Sequence, residues 1–514
     1  MFRRAALALC VPLLAGCASD DAHEQPPPTL ESVLALPTLH AVPDAVNGGR
    51  IVDADGREVI LRGVNVNALV EYWQMRADLP TTFPLTEPDV DEMAQIGCNA
   101  VRLLVSWSRI EPAPGAYDET YLDEVEHAVE WFSERGIYSI IDFHQDAWGP
   151  TLAARPDEIC EPPNQPAFGW DGAPGWATLD GGEPRCTVGI RELSPAVRAA
   201  FVAFWNDAPG PEGVGIRVRY ARMLEHVAAR LAPLVGVAGF DVMNEPNAFG
   251  DAEASALAAL YAEALQAIRS GEAQVAIEPR LVLFEPSGLW SALGYGAPPD
   301  FARDAGVVYA PHVYTGGLTT GLITRDAFET ARSEAALFGG APALSGEWGG
   351  GPSRADNPTD GYFIAHQDLQ DEFRLSATLW TWREACGDPH KAADHRAGTV
   401  PYVWGEFEVD CATNTVLGPR KNLVSQLTRG YARAAPGQLD SLRYAYTTGE
   451  LDAAGSNAAS GAELVVFYPR SRHGDPNITS SGLAQLTVLD APGGNAYVAA
   501  RARGGSWTLG LVAP

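Results

Sequence analysis

Short apolar runs recur along the chain up to about residue 430, and most show no regular alternation with polar residues. Runs of this kind are typical of strands that are buried on both faces, as in parallel sheets. The pattern predicts eight strands, at 59–66, 100–106, 138–144, 238–244, 281–285, 307–312, 343–347 and 377–382.

Segments with helical periodicity separate these strands. In one of them Leu122, Val125 and Val129 repeat at a spacing of three to four, and Gly136 is expected to end the helix. Similar patterns lie at 218–231 and 257–268. Strands alternating with helices predict an α/β fold. The number of strands favours a (β/α)8 TIM barrel over an open, doubly wound sheet.

The texture of the sequence changes near residue 433. Apolar runs at 462–468, 483–489, 496–502 and 507–512 alternate there with Gly, Pro, Asn and Ser, which is typical of a small antiparallel β-sandwich. We therefore expect a barrel over 46–432 followed by a β-sandwich over 433–514.

Two long polar insertions interrupt the barrel pattern, one at 147–194 after the third strand and one at 384–419 after the eighth. Both follow strands, so both are expected on the catalytic face of a barrel, where they would build the walls of a cleft.

The N-terminus has the pattern of an export signal. Arg3 and Arg4 precede an apolar run at 5–14, which is shorter than the roughly 20 residues that span a bilayer. The run leads into Leu14-Ala15-Gly16-Cys17, which resembles a bacterial lipobox. We expect residues 1–16 to be a lipoprotein signal peptide and Cys17 to be lipidated. An ordinary secretory signal with a chance cysteine is the alternative.

Residues 17–45 are rich in Pro and poor in aromatic residues, which indicates a flexible tether. The protein is thus expected to be exported, either anchored by its N-terminal lipid to a membrane of the bacterial cell envelope or secreted. Its net charge of −29 argues against nucleic acid as a partner. We expect a monomer.

Cysteines beyond the leader suit an exported protein. Each insertion holds or borders one pair: Cys160 with Cys186, and Cys386 with Cys411. An oxidising compartment favours a local disulfide within each pair. Cys98 lies in an apolar context and is expected to be a buried free thiol. None of the spacings is typical of a zinc site.

Two glutamates end apolar, strand-like runs: Glu245 in Val242-Met243-Asn244-Glu245-Pro246, and Glu347 in Leu344-Ser345-Gly346-Glu347-Trp348. Taken singly, each could be a capping or salt-bridged residue. On an eight-stranded barrel, however, the tips of strands four and seven face each other across the mouth. Two carboxylates on either side of a glycosidic bond can divide its cleavage, one protonating the leaving oxygen and the other attacking the sugar carbon.

Further polar and aromatic residues fall at the same end of the predicted barrel. Arg102 lies inside the second strand, where a buried guanidinium needs a carboxylate partner. The others follow strands three, six and eight: His144, Asp146, His312, Tyr314, Trp380 and Trp382. Each alone could be a satisfied core group, but together they indicate a polar cleft.

As a set, these motifs resemble family 5 of the glycoside hydrolases, which are retaining (β/α)8 enzymes. The matching segments are Val101-Arg102-Leu103, Asp142-Phe143-His144-Gln145-Asp146, Asn244-Glu245-Pro246, His312-Val313-Tyr314, Glu347-Trp348-Gly349 and Trp380-Thr381-Trp382. The His-Gln-Asp motif, the insertions and the sandwich are similar to the endoglycoceramidase group. A lysine that some relatives carry after the first strand is absent from Asn65-Val66-Asn67-Ala68.

The resemblance implies a role for each of these residues. Glu347 would attack the anomeric carbon, and Glu245 would serve as general acid and then as general base. Asn244 would bind the 2-hydroxyl of the sugar. Arg102 would keep Glu347 ionised, and Glu245 would need a raised pKa.

The remaining residues of the set would hold the sugar. His312 and Tyr314 would orient the nucleophile and the sugar, His144 and Asp146 would bind hydroxyl groups, and Trp380 or Trp382 would stack on a sugar face. Strand alternation points both tryptophans the same way. No metal or cofactor is implied.

The expected substrate is a carbohydrate or glycolipid, most of all a glycolipid cleaved between glycan and ceramide. An endo-β-glucanase or mannanase, or a steryl or simple β-glucosidase, is the alternative within the family. A surface lipoprotein that binds carbohydrate without cleaving it is the alternative from another class.

Overall fold

The computed structural model describes residues 26–318, 321–351 and 361–514. Eight parallel strands form one sheet in this part of the chain: β1 Arg62–Val66, β2 Ala100–Ser106, β3 Tyr138–His144, β4 Val237–Asp241, β5 Leu281–Phe284, β6 Val307–Tyr309, β7 Leu344–Trp348 and β8 Ser376–Leu379. Their order is β6-β5-β4-β3-β2-β1-β8-β7. A parallel bridge between Tyr309 and Ala343 joins the two edges, so the sheet closes. The predicted (β/α)8 barrel is confirmed.

Helices connect the strands on the outside of the barrel. The longer ones are α1 Glu87–Gln95, α2 Glu119–Glu134, α3 Pro195–Trp205, α4 Ile216–Leu231, α5 Asp251–Gln274, α6 Arg325–Leu337, α7 Tyr362–Phe373 and α8 Lys421–Leu427. Helix α2 begins after Asp118, whose side chain accepts a hydrogen bond from the backbone N–H of Tyr121 at 3.1 Å. It ends just before Gly136, which has a φ of 68°, as the sequence predicts.

Two antiparallel sheets lie beside the barrel, and most of their strands come after it in the chain. The first has the strand order Leu39–Val42, Arg50–Asp53, Arg57–Val59, Tyr431–Pro436, Glu463–Tyr468, Ala496–Ala502 and Leu483–Asp490. The second has the order Gln438–Ala445, Glu450–Ala458, Gly505–Val512 and Asn477–Ser481. Apolar side chains of both sheets share one core, so the C-terminal β-sandwich is confirmed.

The first sheet corrects the predicted domain boundaries at the N-terminus. A helix at Leu30–Leu34 and the strand at Leu39–Val42 replace the tether that was expected to extend to residue 45. The strands at Arg50–Asp53 and Arg57–Val59 lie in the sandwich, although the barrel was expected to begin at 46. Their pairing is with residues far along the chain, as in Val59 with Ala434, which no local pattern reveals.

The sandwich covers the N-terminal end of the barrel. Ile140 of β3 and Leu283 of β5 belong to the same buried cluster as Val465 and Phe467 of the sandwich. This cluster closes one end of the barrel and leaves the C-terminal ends of its strands for the insertions. Within the described ranges, no helix has the length and apolarity that crossing a membrane requires.

Candidate active site

The carboxyl ends of the barrel strands bring the predicted catalytic glutamates together. Glu347 lies within β7, and Glu245 follows β4. One carboxylate oxygen of each lies within 4.8 Å of the other and of a ring nitrogen of His312. Retaining glycosidases hold their carboxyl groups about 5–5.5 Å apart, whereas inverting enzymes need about 6.5–9.5 Å. The close approach of the pair fits the retaining class.

Glu347 is buried and held from two sides. Nη1 of Arg102 lies 3.1 Å from Oε1, and the hydroxyl of Tyr314 donates a 2.9 Å hydrogen bond to Oε2. These contacts orient the carboxylate towards the cleft. Burial raises the pKa of Glu347, against the opposing effects of His312 and Arg102. Arg102 therefore acts in the expected direction, but burial outweighs it.

Glu245 has different neighbours. Oε1 accepts a hydrogen bond from the hydroxyl of Ser291 and lies 3.0 Å from Nδ1 of His312, and Oε2 lies 3.9 Å from Nη2 of Arg191. Burial raises the pKa of Glu245, but the hydrogen bond and positive charge of His312 outweigh burial, and the net shift is downward. The expectation of a raised pKa for Glu245 is thus wrong, because His312 lowers this pKa more than burial raises it.

Arg102 is fully buried among four carboxylates. Its guanidinium nitrogens lie 2.9 Å from carboxylate oxygens of Asp142, Asp241 and Glu285, in addition to the contact with Glu347. Such a network compensates the burial of a charge and fixes the side chains around it. None of these three acids has a role predicted from the sequence. A clue lay in the strand runs, since Asp142 lies within β3, Asp241 ends β4 and Glu285 directly follows β5.

Asn244 is oriented for the predicted contact with the sugar. Its Oδ1 accepts a hydrogen bond from Nη2 of Arg102 at 2.9 Å, and its Nδ2 donates one to the backbone oxygen of Gln145 at 3.1 Å. Because both ends of the amide are held, the side chain keeps a fixed position beside Glu245.

Three further predicted residues, His144, Asp146 and Trp380, line the same end of the barrel. His144 places Nδ1 at 2.6 Å from Oδ2 of Asp142, and its ring stacks on Trp380 with centroids 5.6 Å apart. Asp146 accepts a 2.6 Å hydrogen bond from Nη2 of Arg191. The structure thus places all three side chains near the cleft, as predicted.

Trp382 does not join the site. Its ring packs on Phe407 with centroids 4.9 Å apart, and its Nε1 donates to Oδ1 of Asp89 at 3.2 Å, on the outside of the barrel. Strand β8 ends at Leu379, so the alternation that was expected to orient both tryptophans alike does not apply. Of the two candidates, only Trp380 remains available to stack on a sugar.

Both expected disulfides are present. Cys160 is bonded to Cys186 and Cys386 to Cys411, with Cα–Cα distances of 5.7 Å and 5.4 Å. Cys98 is a buried free thiol, as expected. The disulfides brace the two insertions that flank the cleft. Cys17, the predicted lipidation site, lies outside the described residues.

The barrel and its paired carboxylates define the class of retaining (β/α)8 glycosidases. The chain belongs to the cellulase family, glycosyl hydrolase family 5, whose model matches residues 52–385. The resemblance that the sequence motifs suggested is therefore confirmed, and the protein is a glycoside hydrolase.

Endoglycoceramidases are among the similar proteins. Endoglycoceramidase I of Rhodococcus hoagii (strain 103S) is 28% identical over 295 residues, which are 52% of this chain and 52% of that relative. The chain thus spans about half the length of this curated relative. A crystal structure of an endogalactoceramidase is 34% identical, with a TM-score of 0.82, and covers 93% of this chain and 100% of its own. Endo-glycoceramidase II from Rhodococcus sp., solved as a lactosyl-enzyme intermediate, is 26% identical, with a TM-score of 0.66 and coverage of 90% and 99%.

Proposed function

We propose that this protein hydrolyses the β-glycosidic bond between the glycan and the ceramide of a glycosphingolipid, with retention of configuration. The observation that carries the reaction is the pair of carboxylates within 4.8 Å of each other, one bound by Arg102 and Tyr314 and the other by Ser291 and His312. The similarity to endoglycoceramidases over nearly the whole chain supports the choice of substrate.

The reaction would proceed in two displacements. Glu347 attacks the anomeric carbon while Glu245 gives a proton to the ceramide oxygen. The bond between that carbon and that oxygen breaks. Before this step His312 can supply the proton that Glu245 then donates, because Nδ1 of His312 lies 3.0 Å from Oε1 of Glu245. Esterification removes the charge of Glu347, so Glu245 can remain ionised and deprotonate the water that releases the sugar.

A panel of glycolipids and polysaccharides tests the proposal. We expect release of an intact glycan from lactosylceramide or a ganglioside, identified by mass spectrometry, and NMR of the first product should show the β-anomer. Activity confined to cellulose, mannan or steryl glucoside would instead assign another member of the family. Binding without turnover of any substrate would favour the carbohydrate-binding lipoprotein.

We also propose that the protein is an exported monomer held at the cell envelope by a lipid on Cys17. The lipobox-like sequence Leu14-Ala15-Gly16-Cys17 supports the anchor. Mass spectrometry of the mature N-terminus should find a lipidated cysteine, and Cys17→Ser should release the protein from membranes. Light scattering of the protein released by this substitution should give the mass of one chain.

A further inference from the structure

A second group of buried polar side chains lies beside the catalytic pair, and of its members only Asp146 has a role predicted from the sequence. We name it the insertion cluster, and its members are Tyr72, Asp146, Asp171, Asp388 and His390. Asp171 comes from the insertion after β3, Asp388 and His390 come from the insertion after β8, and Tyr72 follows β1.

Short contacts tie the insertion cluster together. A ring nitrogen of His144 and one carboxylate oxygen each of Asp146 and Asp171 lie within 4.8 Å of one another. Nε2 of His390 lies 3.4 Å from Oδ2 of Asp146, and Nδ1 of His390 lies 2.7 Å from Oδ1 of Asp388. The ring of Tyr72 meets that of His390 edge to face, with centroids 6.4 Å apart.

Several polar atoms of the insertion cluster are buried without a hydrogen-bond partner. Both carboxylate oxygens of Asp171 and Oδ2 of Asp388 have none, although these residues are 0% and 1% exposed. The hydroxyl of Tyr72 is also buried and has Asn67 as its neighbour. Proteins pair nearly all such atoms, so a group of them in one place indicates a missing ligand. Burial also raises the pKa of Asp171 to about 8, which lets the carboxyl act as donor as well as acceptor.

The insertion cluster borders the sugar site directly. His144 stacks on Trp380 and lies within the same 4.8 Å group as Asp171. Arg191 contacts Asp146 at 2.6 Å and Glu245 at 3.9 Å. Asp171 therefore lies one side chain, that of His144, away from a molecule that stacks on Trp380.

We propose that Asp171, together with Asp388 and Tyr72, binds hydroxyl groups of the sugar whose bond is cleaved, and so sets the sugar specificity of the enzyme. This inference rests on the proposed glycosidase function. Sugar hydroxyls both donate and accept hydrogen bonds, which matches the mixed set of buried carboxyl and phenol oxygens. The two insertions thus do more than wall the cleft.

A divalent cation is the competing occupant, because the donor atoms of His144, Asp146 and Asp171 are close enough to share one. The positive charges beside them oppose it. Arg191 and His390 both contact Asp146, and the pKa of His144 is raised to about 9, which keeps the ring protonated. The charge distribution therefore favours a sugar.

The test compares Asp171→Asn and Tyr72→Phe with the control Glu183→Gln, which changes an exposed acid in the same insertion. The substrates are 4-nitrophenyl β-glucoside, β-galactoside and β-lactoside with their monodeoxy analogues. We expect each cluster variant to lower kcat/KM on the parent sugar by about tenfold or more, and the control to leave it unchanged. For one deoxy sugar, the wild type and the variant should become nearly equal, because the hydroxyl that the residue binds is missing.

Two results would overturn the proposal. One is an equal loss for every deoxy sugar, which would mean that the residues act only on the fold. The other is binding of one Ca²⁺, Mn²⁺ or Zn²⁺ per metal-depleted wild-type chain that Asp171→Asn abolishes.

Calorimetry separates this proposal from the proposed function. Glu347→Gln is titrated with glucose, galactose, lactose and their deoxy analogues, in the presence and absence of Tyr72→Phe. If the wild type cleaves nothing but these sugars bind and the deoxy pattern holds, the function fails and the sugar site stands. If the wild type cleaves its substrate but the deoxy-sugar pattern is absent, the proposed sugar site is wrong while the proposed function stands.

Discussion

Nδ1 of His312 lies 3.0 Å from Oε1 of Glu245, on the side of the ring that also faces Glu347 at 3.5 Å. Burial lowers the pKa of His312, but Glu285 and Glu347 outweigh it and raise that pKa well above the usual value. One buried histidine therefore stands between the two catalytic carboxylates. It lowers the pKa of Glu245 and opposes the rise that burial causes in the pKa of Glu347.

Replacing this cation should move the pH–rate profile. In His312→Asn the positive charge is lost, so the pKa values of Glu347 and Glu245 should both rise. The nucleophile must be ionised and the acid protonated, so both limbs of kcat/KM against pH should move to higher pH. The control Ser291→Ala removes a neutral hydrogen bond to Glu245 and should leave the acid limb in place. An acid limb unmoved in His312→Asn would contradict this account.

Chemical rescue should distinguish the roles of the two catalytic glutamates. Glu347→Gln removes the nucleophile and should lower kcat on an aryl glycoside by more than about a thousandfold. Glu245→Ala should keep the first displacement on a substrate with a good leaving group, and azide should restore turnover by attacking the glycosyl-enzyme in the second step. NMR should identify the product as the β-glycosyl azide. A β-azide from Glu347→Gln or an α-azide from Glu245→Ala would contradict these assignments, and so would near-native activity of either variant.

The two tryptophans after β8 should behave differently. Trp380→Ala should lower the kcat/KM of the folded enzyme by about tenfold or more, because a platform for the sugar is lost. Trp382→Ala should instead cost about 3–5 kcal/mol of stability, because a buried ring is removed from the outside of the barrel. Calorimetric melting and kinetics on the same samples distinguish the two effects. The reverse pattern would show that the platform has been misassigned.

The disulfide in the second insertion should support both stability and binding. Cys386 and Cys411 are separated by 25 positions, and closing a loop of this size stabilises a protein by about 3 kcal/mol. The paired substitution Cys386→Ser and Cys411→Ser should lower the free energy of unfolding and raise KM, since the same insertion carries Asp388 and His390. Chemical denaturation and initial rates measure the two. The paired substitution of Cys160 and Cys186 gives a comparison in the first insertion.

Glu406 should make stability depend on pH. It is 1% exposed, neither carboxylate oxygen has a hydrogen-bond partner, and burial raises its pKa from 4.5 to about 8. The folded state holds the proton of the Glu406 carboxyl more tightly than the unfolded state. The contribution of this proton to the free energy of unfolding is therefore complete below pH 4.5 and is lost as pH rises to about 8.

Glu406→Gln should therefore raise the melting temperature at pH 8 and change it much less at pH 4.5. Glu408→Gln, which alters an exposed acid two positions along the chain, is the matched control. Equal effects of the two substitutions at pH 8 would show that the carboxyl of Glu406 is not desolvated.

The barrel was readable from the sequence because its strands are buried on both faces. Strands β2 and β3 lie at the predicted positions, since uninterrupted apolar runs mark their ends. The catalytic glutamates were readable for the same reason, because a polar residue at the end of such a run is placed by the barrel itself.

Features that depend on contacts between residues far apart in the sequence could not be predicted. The carboxyl of Glu285 meets Arg102 only when β5 and β2 are parts of one closed barrel. A carboxylate oxygen of Asp171 comes within 4.8 Å of His144 and Asp146 through the path of a long insertion, which carries no periodic signal. The pKa values of Glu245 and Glu347 follow from the position of His312 between them, which spacing along the chain does not encode.

The N-terminal segment enters the fold at the end of the barrel that lies opposite to the catalytic mouth. The phenol of Tyr138, at the start of β3, donates to the backbone oxygen of Pro37 at 2.7 Å, so the residues before the strand at Leu39–Val42 cross the floor of the barrel. The catalytic mouth is at the opposite end. A support coupled at the start of this segment would therefore hold the enzyme from its floor and leave the catalytic mouth clear for a glycolipid.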